Sequence, residues 1–183
     1  MRTVDTLQSA WRDHRPPRGT GTVRLLCVRQ ESGVHATPES IEISEVDGVI
    51  GDRWAGRASG KDPDGAAAVT LINATVAKLV AGDGQPLDAP GDNIHVDLDV
   101  GVEALPAGTR LSVGDAILRV SEQPHTGCSV FRDRFGLEAL KWVSTPSGRA
   151  NRLRGVNCSV VRAGTVRLGD AVTVEPLPEA ARH

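Results

Sequence analysis

The residue whose setting is most favourable for chemistry is Cys128, in the segment QPHTGCSVF. Pro124 ends the preceding strand, and the pattern predicts a helix that begins at Thr126 or the residue after it, with the Thr126 hydroxyl as its cap. Cys128 would then lie in the first helical turn, where unpaired backbone N–H groups and the helix dipole favour a thiolate. We therefore predict that Cys128 is a nucleophile or a soft metal ligand, with His125 beside it as a hydrogen-bond donor or proton shuttle.

Each of these residues also has a purely structural interpretation. Cys128 could be a small core residue at the start of a helix, and His125 could be an exposed loop histidine. The other two cysteines, Cys27 and Cys158, follow apolar strand patterns, for which inert packing is the favoured interpretation.

Two Gly-Asp turns and one basic segment contain the other candidate ligand-binding residues. Asp52 and Arg53 lie in the first turn (GDRWAGR), and Asn93 lies in the second (GDNI). Arginines beside loop N–H groups suit a phosphate or a pterin, and carboxylate or amide groups suit the polar edge of a heterocycle. The motifs by themselves fit solvent-exposed turns better.

A basic segment just before a predicted strand holds Arg149, Arg152 and Arg154, followed by Asn157. The spacing of the three arginines prevents them from sharing one face of a strand, whose side chains alternate. In a loop they could bind a phosphate together. A solvated basic loop is the open alternative.

Composition excludes several classes of function. A net charge of −2 and five aromatic residues among 183 argue against nucleic-acid binding, which needs basic and stacking surfaces. We find no apolar run of membrane-spanning length and no apolar leader after Arg2. Three widely spaced cysteines form neither a disulfide framework nor a CxxC pair, so we expect a cytoplasmic protein. Motifs for nucleotide loops, zinc proteases and serine hydrolases are absent.

The elements that must position these residues are mostly strands. Apolar runs predict buried strands at 23–28 and 67–72, and alternation through residues 41, 43 and 46 predicts a half-exposed strand. Asn73 should cap a helix over 74–81 that Gly82 ends. Two further helices are expected at 128–135 and 137–144.

One domain is expected, over residues 21–176. An arm at 1–20, with a helical turn between Leu7 and Trp11, precedes it, and a tail at 177–183 follows. Both ends should be mobile unless they dock.

An internal echo indicates how the strands connect. Residues 107–120 and 163–174 share the order strand, Gly-Asp turn, strand. Each copy predicts a hairpin, whether or not the two copies are a true repeat, because Gly-Asp supplies the backbone of a tight turn. Hairpins in a strand-rich chain close most easily into a barrel, so we predict a mainly β protein: a closed barrel with hairpins and a few short helical insertions.

An ordered set of motifs resembles the MOSC family, the C-terminal domain of molybdenum-cofactor sulfurases, in its stand-alone form. The segments are GDRWAG at 51–56, VTLIN at 69–73, GDNI at 91–94, LPAGT at 105–109, TGC at 126–128, RGVN at 154–157 and GTVRLGD at 164–170. The resemblance covers residues 22–175. It implies a MOSC-type β-barrel in which Cys128 is the characteristic cysteine. Trp54 and Gly127 depart from the family pattern, in which many relatives have His and Pro.

The resemblance implies three functions that remain open. The first is an enzyme in which Cys128 ligates molybdenum of a pyranopterin cofactor, the Arg and Asn loops hold the pterin phosphate, and a small N-hydroxylated substrate is reduced. A separate protein must then supply the electrons. The second is a sulfur carrier or sulfurtransferase, in which a cysteine desulfurase delivers a persulfide to Cys128. The third is a binding module without chemistry.

Overall fold

The structure is a computed structural model that describes residues 2–55, 62 and 64–176. The strands are β1 (Thr20–Leu26), β2 (Val28–Glu31), β3 (Val34–Ala36), β4 (Ser40–Ser44), β5 (Gly48–Val49), β6 (Val69–Asn73), β7 (Ile94–Asp97), β8 (Arg110–Val113), β9 (Ala116–Val120), β10 (Val156–Arg162), β11 (Gly164–Arg167) and β12 (Ala171–Val174). The α-helices are α1 (Val4–Arg12), α2 (Ala74–Ala81), α3 (Ser129–Phe135), α4 (Leu137–Ser144) and α5 (Pro146–Ala150), and a 3₁₀ turn spans Gly82–Gly84. Within these described ranges, no helix has the length and apolar character that crossing a bilayer would require.

In the described part of the chain, seven strands close into a barrel in the order β1-β12-β8-β9-β10-β6-β7. All neighbours are antiparallel except β6 and β7, which run parallel because α2 carries the chain back between them. Beside the barrel lie a three-stranded sheet, β11-β4-β5, and the hairpin β2–β3. The predicted mainly β, closed barrel with short helices is confirmed.

The internal echo proves to be one hairpin rather than two. Strands β8 and β9 pair across Gly114, whose φ of 54° supplies the expected turn. The second predicted hairpin is wrong, because β12 pairs with β1 and β8 while β11 pairs with β4. Strand β12 is needed to close the barrel, and β11 instead buries Val166 against Ile41 and Ile43 of β4. Val46 lies beyond the end of β4 and is 81% exposed, so the predicted alternation stops at Ser44.

Helix α2 begins and ends where its sequence predicts. The Asn73 Oδ1 atom accepts hydrogen bonds from the backbone N–H groups of Thr75 (2.9 Å) and Val76 (3.2 Å). Gly82 follows the last turn with φ of 62°, a conformation that favours glycine. The Asn73 Nδ2 atom also donates to the Leu98 carbonyl at 3.0 Å, so this buried amide ties the helix to the segment after β7.

Replacing Asn73 with alanine should lower the free energy of unfolding by about 2 kcal/mol. Loss of the cap costs roughly 1 kcal/mol, and the buried Leu98 carbonyl loses its donor at a similar cost. Urea unfolding followed by circular dichroism measures the effect. Asn151→Ala, at an exposed hydrogen bond, is the matched control and should change stability by less than about 0.5 kcal/mol. Equal effects of the two substitutions would contradict this role of Asn73.

The hydrophobic core has two parts. One fills the barrel, and the other lies outside it, where α1 to α4 pack together. Leu7 and Trp11 of α1 are buried in the second part, and Trp142 of α4 donates from Nε1 to Gln8 at 3.1 Å. The segment predicted as an arm with one helical turn is therefore a docked helix of nine residues, because burial of its apolar face offsets the cost of ordering it. The predicted tail at 177–183 lies outside the described residues.

Candidate functional site

The loop from Ser121 to Cys128 places the candidate cysteine at the surface. The structure corrects the predicted helix start: α3 begins at Ser129, and Cys128 is its N-cap residue, with φ −125° and ψ −177°. Thr126 lies in the extended loop and does not cap the helix, because the first helical hydrogen bond runs from the Arg132 N–H to the Cys128 carbonyl (3.0 Å). The Cys128 side chain makes no capping bond and is exposed.

Cys128 opens onto a cleft of about 220 Å³, which we call the cysteine cleft. Its polar lining is Arg29, Ser32, His35, Arg53, His125, Cys128, Arg134 and Arg154. Four predicted site residues, Arg53, His125, Cys128 and Arg154, thus meet in one place. Four arginines beside an exposed thiol make this a basic setting that favours anions.

A second cleft, of about 550 Å³, adjoins the first, and we call it the arginine cleft. All three arginines of the basic segment line it, together with His125 and Thr126. His125 and Arg154 line both clefts and form a wall that the two share. The volume is within the range of small-molecule sites, about 300–1,000 Å³.

A buried carboxylate lies behind His125 and Arg154. Asp92 is fully buried; its Oδ2 accepts a hydrogen bond from Arg154 Nη1 at 2.8 Å, and its Oδ1 lies 3.3 Å from His125 Nδ1. Burial raises the pKa of Asp92 even though Arg154 opposes the rise. Burial and then the charges of Arg154 and Arg29 lower the pKa of His125 well below 6.5. The lowered pKa favours the neutral imidazole, whose Nδ1 lies near Asp92 Oδ1 without a hydrogen bond between the two atoms.

Three polar atoms of Asp92, His125 and Arg154 have no hydrogen-bond partner. Asp92 Oδ1, His125 Nδ1 and Arg154 Nε are buried atoms without a hydrogen bond of normal geometry. The Arg154 guanidinium also lies over the Phe131 ring, 5.1 Å from its centroid, which holds its plane in place. Of these atoms Arg154 Nε is a donor, and a buried unpaired donor on a residue of the cleft wall is suited to a ligand that brings an acceptor.

Asp52 and Asn93 lie behind the cysteine cleft, where they hold Arg29. Both Asp52 oxygens accept from the Arg29 guanidinium at 2.9 Å, and Asp52 Oδ2 also accepts from Asn93 Nδ2 at 3.0 Å. Asn93 Oδ1 accepts from the hydroxyl and the backbone N–H of Thr70. Burial alone would raise the pKa of Asp52, but the hydrogen bonds and charge of Arg29 hold it below 3.8. Because the Asp52 and Asn93 side chains make their hydrogen bonds within the protein, their role is to position Arg29, which forms one wall of the cysteine cleft.

Two other predicted residues brace the loops of the arginine cleft. Arg152, with φ of 46°, donates to the carbonyls of Val100 (3.3 Å) and Leu105 (2.6 Å). Asn157 is buried in β10 and donates to the Gln123 carbonyl at 3.2 Å, which ties down the loop that carries Cys128.

Sequence reasoning missed Asp92, which lies behind the cysteine cleft, and four residues that line it: Arg29, Ser32, His35 and Arg134. Asp92 adjoins Asn93 in the same Gly-Asp turn and had an equal sequence signal. Arg29 and His35 lie in the β2–β3 hairpin. The sequence did not predict this hairpin, because the apolar run at 23–28 was interpreted as one strand, whereas β1 ends at Leu26 and β2 begins after Cys27. A polar residue directly after a buried strand is the signal that could have identified Arg29.

Comparison with known proteins agrees with this architecture. The MOSC domain profile matches residues 66–173, more than half of the chain, and the chain belongs to the MOSC domain family. This family is associated with molybdenum-cofactor binding and sulfur-related roles. No protein with a curated description matches the sequence.

Solved structures show the same fold at low sequence identity. The YuaD protein of Bacillus subtilis is similar with a TM-score of 0.63 and 19% identity, over 90% of this chain and 100% of that chain. YiiM of Escherichia coli has a TM-score of 0.57 and 16% identity, over 86% of this chain and 71% of that chain. YiiM of Geobacillus stearothermophilus has a TM-score of 0.52 and 13% identity, over 85% and 75% of the two chains.

Proposed function

We propose that the protein binds a molybdenum cofactor through the Cys128 thiolate and reduces N-hydroxylated small molecules. The observation that carries the proposal is the meeting of an exposed thiol with Arg29, Arg53 and Arg154 in one cleft. A thiolate is a soft metal ligand, and guanidinium groups match the phosphate of a pterin. The buried, unpaired Nε of Arg154 fits a ligand that carries acceptors.

When bound, the cofactor supplies two-electron oxygen-atom chemistry at its metal. Cys128 would ligate the metal, and the arginines of both clefts would hold the anionic pterin. The neutral imidazole of His125 can accept a proton at one ring nitrogen and release it at the other. Asp92 lies beside that ring, with its Oδ1 atom 3.3 Å from Nδ1. The overall change consumes two electrons from a separate donor protein and two protons, and converts an N–OH group into N–H and water.

A Cys128→Ser variant should lose nearly all of its molybdenum. Both proteins would be purified from a molybdate-supplied host with an active cofactor pathway, and molybdenum and pterin would be measured per chain. Ser129→Ala, at the exposed neighbouring position, is the matched control and should keep the parent content. The parent, supplied with a reduced viologen dye, should then reduce a hydroxylamine, and Cys128→Ser should not. A metal-free parent, or a variant with unchanged metal, would refute the proposal.

The exposure of Cys128 favours one second candidate, a persulfide carrier, because another protein can reach this thiol. The Cys128 thiolate would attack the outer sulfur of a desulfurase persulfide, forming a Cys128 persulfide and releasing the desulfurase thiolate. Incubation with a desulfurase and cysteine should then add one sulfur atom to the parent and none to Cys128→Ser, as read by mass spectrometry. Absence of labelling in the metal-free parent would exclude this candidate.

A further inference from the structure

A second group of metal-ligating side chains lies behind the β2–β3 hairpin. It consists of Cys27, at the junction of β1 and β2, His35 on β3, and Asp88 in the loop before β7. One ligand atom from each residue lies within 4.8 Å of the others, and His35 Nδ1 is 3.1 Å from Asp88 Oδ2. None of the three is among the residues proposed to hold the molybdenum cofactor, although His35 also lines the cysteine cleft.

We propose that Cys27, His35 and Asp88 bind a divalent zinc-type cation. A thiolate, an imidazole and a carboxylate are the ligand types that Zn²⁺ takes, and three protein ligands leave one position for water. Tetrahedral Zn²⁺ separates such atoms by about 3.3–3.6 Å, so binding draws the most distant pair together by little more than about 1 Å. Of these three described side chains only Asp88 offers a carboxylate, so the set suits Zn²⁺ better than Mg²⁺ or Ca²⁺, which take oxygen ligands.

Charge balance supports the same assignment. A thiolate, a carboxylate and a neutral imidazole total two negative charges, which one divalent cation neutralises. Without the cation, burial and the neighbouring Asp88 carboxylate raise the pKa of Cys27 to about 12, so the thiol keeps its proton.

Cys27 is fully buried and the His35 side chain is 6% exposed, so a cation would enter the site past Asp88. The Asp88 side chain is 18% exposed, and His35 also lines the cysteine cleft. A cation at this position would connect the β1–β2 junction, the hairpin and the loop before β7. It would thereby fix the hairpin that carries Arg29 into the cysteine cleft. This inference does not depend on the function proposed for Cys128.

Cobalt titration tests the site through its optical spectrum. Chelator-treated, full-length Cys128→Ser protein, in which the exposed thiol is absent, should bind one Co²⁺ with a thiolate-to-cobalt charge-transfer band in the near ultraviolet. Zn²⁺ should displace the cobalt and raise the melting temperature. A Cys27→Ser change in the same background should abolish the band. His35→Gln and Asp88→Asn should each weaken binding by roughly 100-fold or more, since even outer-shell partners account for about 10–100-fold.

The matched control is Cys158→Ser, the other buried cysteine, which should keep the band. Because the chain has three cysteines, a band that survives loss of Cys128 and Cys158 assigns the thiolate to Cys27 even if Cys27→Ser fails to fold. Absence of a charge-transfer band, or its persistence in folded Cys27→Ser, would overturn the proposal. Failure of the molybdenum proposal would leave these results unchanged, since the titration uses a chain without Cys128.

Discussion

An Asp52→Asn substitution should lower the free energy of unfolding by about 3–5 kcal/mol, the cost of breaking a buried ion pair at one end. The amide keeps the size of the carboxylate but removes its charge and replaces one acceptor oxygen with a donor. Every group around it is also a donor: the Arg29 guanidinium and backbone N–H, the Asn93 amide and the Trp54 N–H. Arg29 would be left partly buried without a counter-ion, and the wall of the cysteine cleft would lose its position.

The same substitution should change how stability depends on pH. The folded pKa of Asp52 lies below its ordinary value of 3.8, so its ionised form stabilises the folded state above that value. This stabilisation disappears as the pH falls through the folded pKa. Between neutral pH and the acid range the parent should therefore lose more stability than Asp52→Asn.

Urea unfolding at several pH values, followed by circular dichroism, measures both effects. Asp133→Asn is the matched control, because this carboxylate is 66% exposed and pairs with Arg132 at the surface. It should change stability by less than about 1 kcal/mol. If both variants lost a similar amount of unfolding free energy, the buried Arg29–Asp52 pair would contribute no more to stability than a surface pair, and the prediction would be wrong.

A Gly155→Ala substitution should lower the free energy of unfolding by about 2–6 kcal/mol and disturb the candidate site. Gly155 has φ of 100°, where a side chain is strained, at a cost of about 1–3 kcal/mol. A Cβ atom there would lie 2.6 Å from the Leu71 carbonyl oxygen, 3.0 Å from Asp92 Oδ1 and 3.2 Å from His125 Nδ1. Overpacking adds about 1–3 kcal/mol, and the new methyl group presses on Asp92 and on His125, which lines both clefts.

Gly169→Ala is the control that separates the cost of backbone strain from the cost of steric contact. Gly169 also has a positive φ, 83°, but a Cβ atom there meets nothing within 4 Å. Gly169→Ala should lower the free energy of unfolding by the backbone strain alone, about 1–2 kcal/mol, and should leave the molybdenum content unchanged. Gly155→Ala should lose more stability in urea unfolding and also carry less molybdenum. If Gly155→Ala and Gly169→Ala lost equal stability and kept equal molybdenum, the contacts of the new methyl group with Asp92 and His125 would have no effect, which would contradict this prediction.

Signals that act within a few residues predicted their elements correctly. The Asn73 cap and Gly82 stop define α2, and Gly114 defines the β8–β9 hairpin, because side-chain caps and turns are satisfied by their immediate neighbours. The start of α3 was predicted two or three residues too early. The Thr126 hydroxyl is a suitable cap by residue type, but the helix begins where the Cys128 carbonyl accepts from the Arg132 N–H, and the conformation of the preceding loop sets that position. The expected second hairpin failed because barrel closure recruits β12 to different partners.

The sequence by itself determined the family and the mainly β barrel, and it identified Cys128 as the candidate reactive cysteine. Only the tertiary structure decided which polar residues face a ligand and which hold the wall behind it. Asp52 meets Arg29 across 23 residues, and Asp92 meets Arg154 across 62. Such pairs depend on strand register and on how the barrel closes, and no signal within a few residues of either partner encodes them.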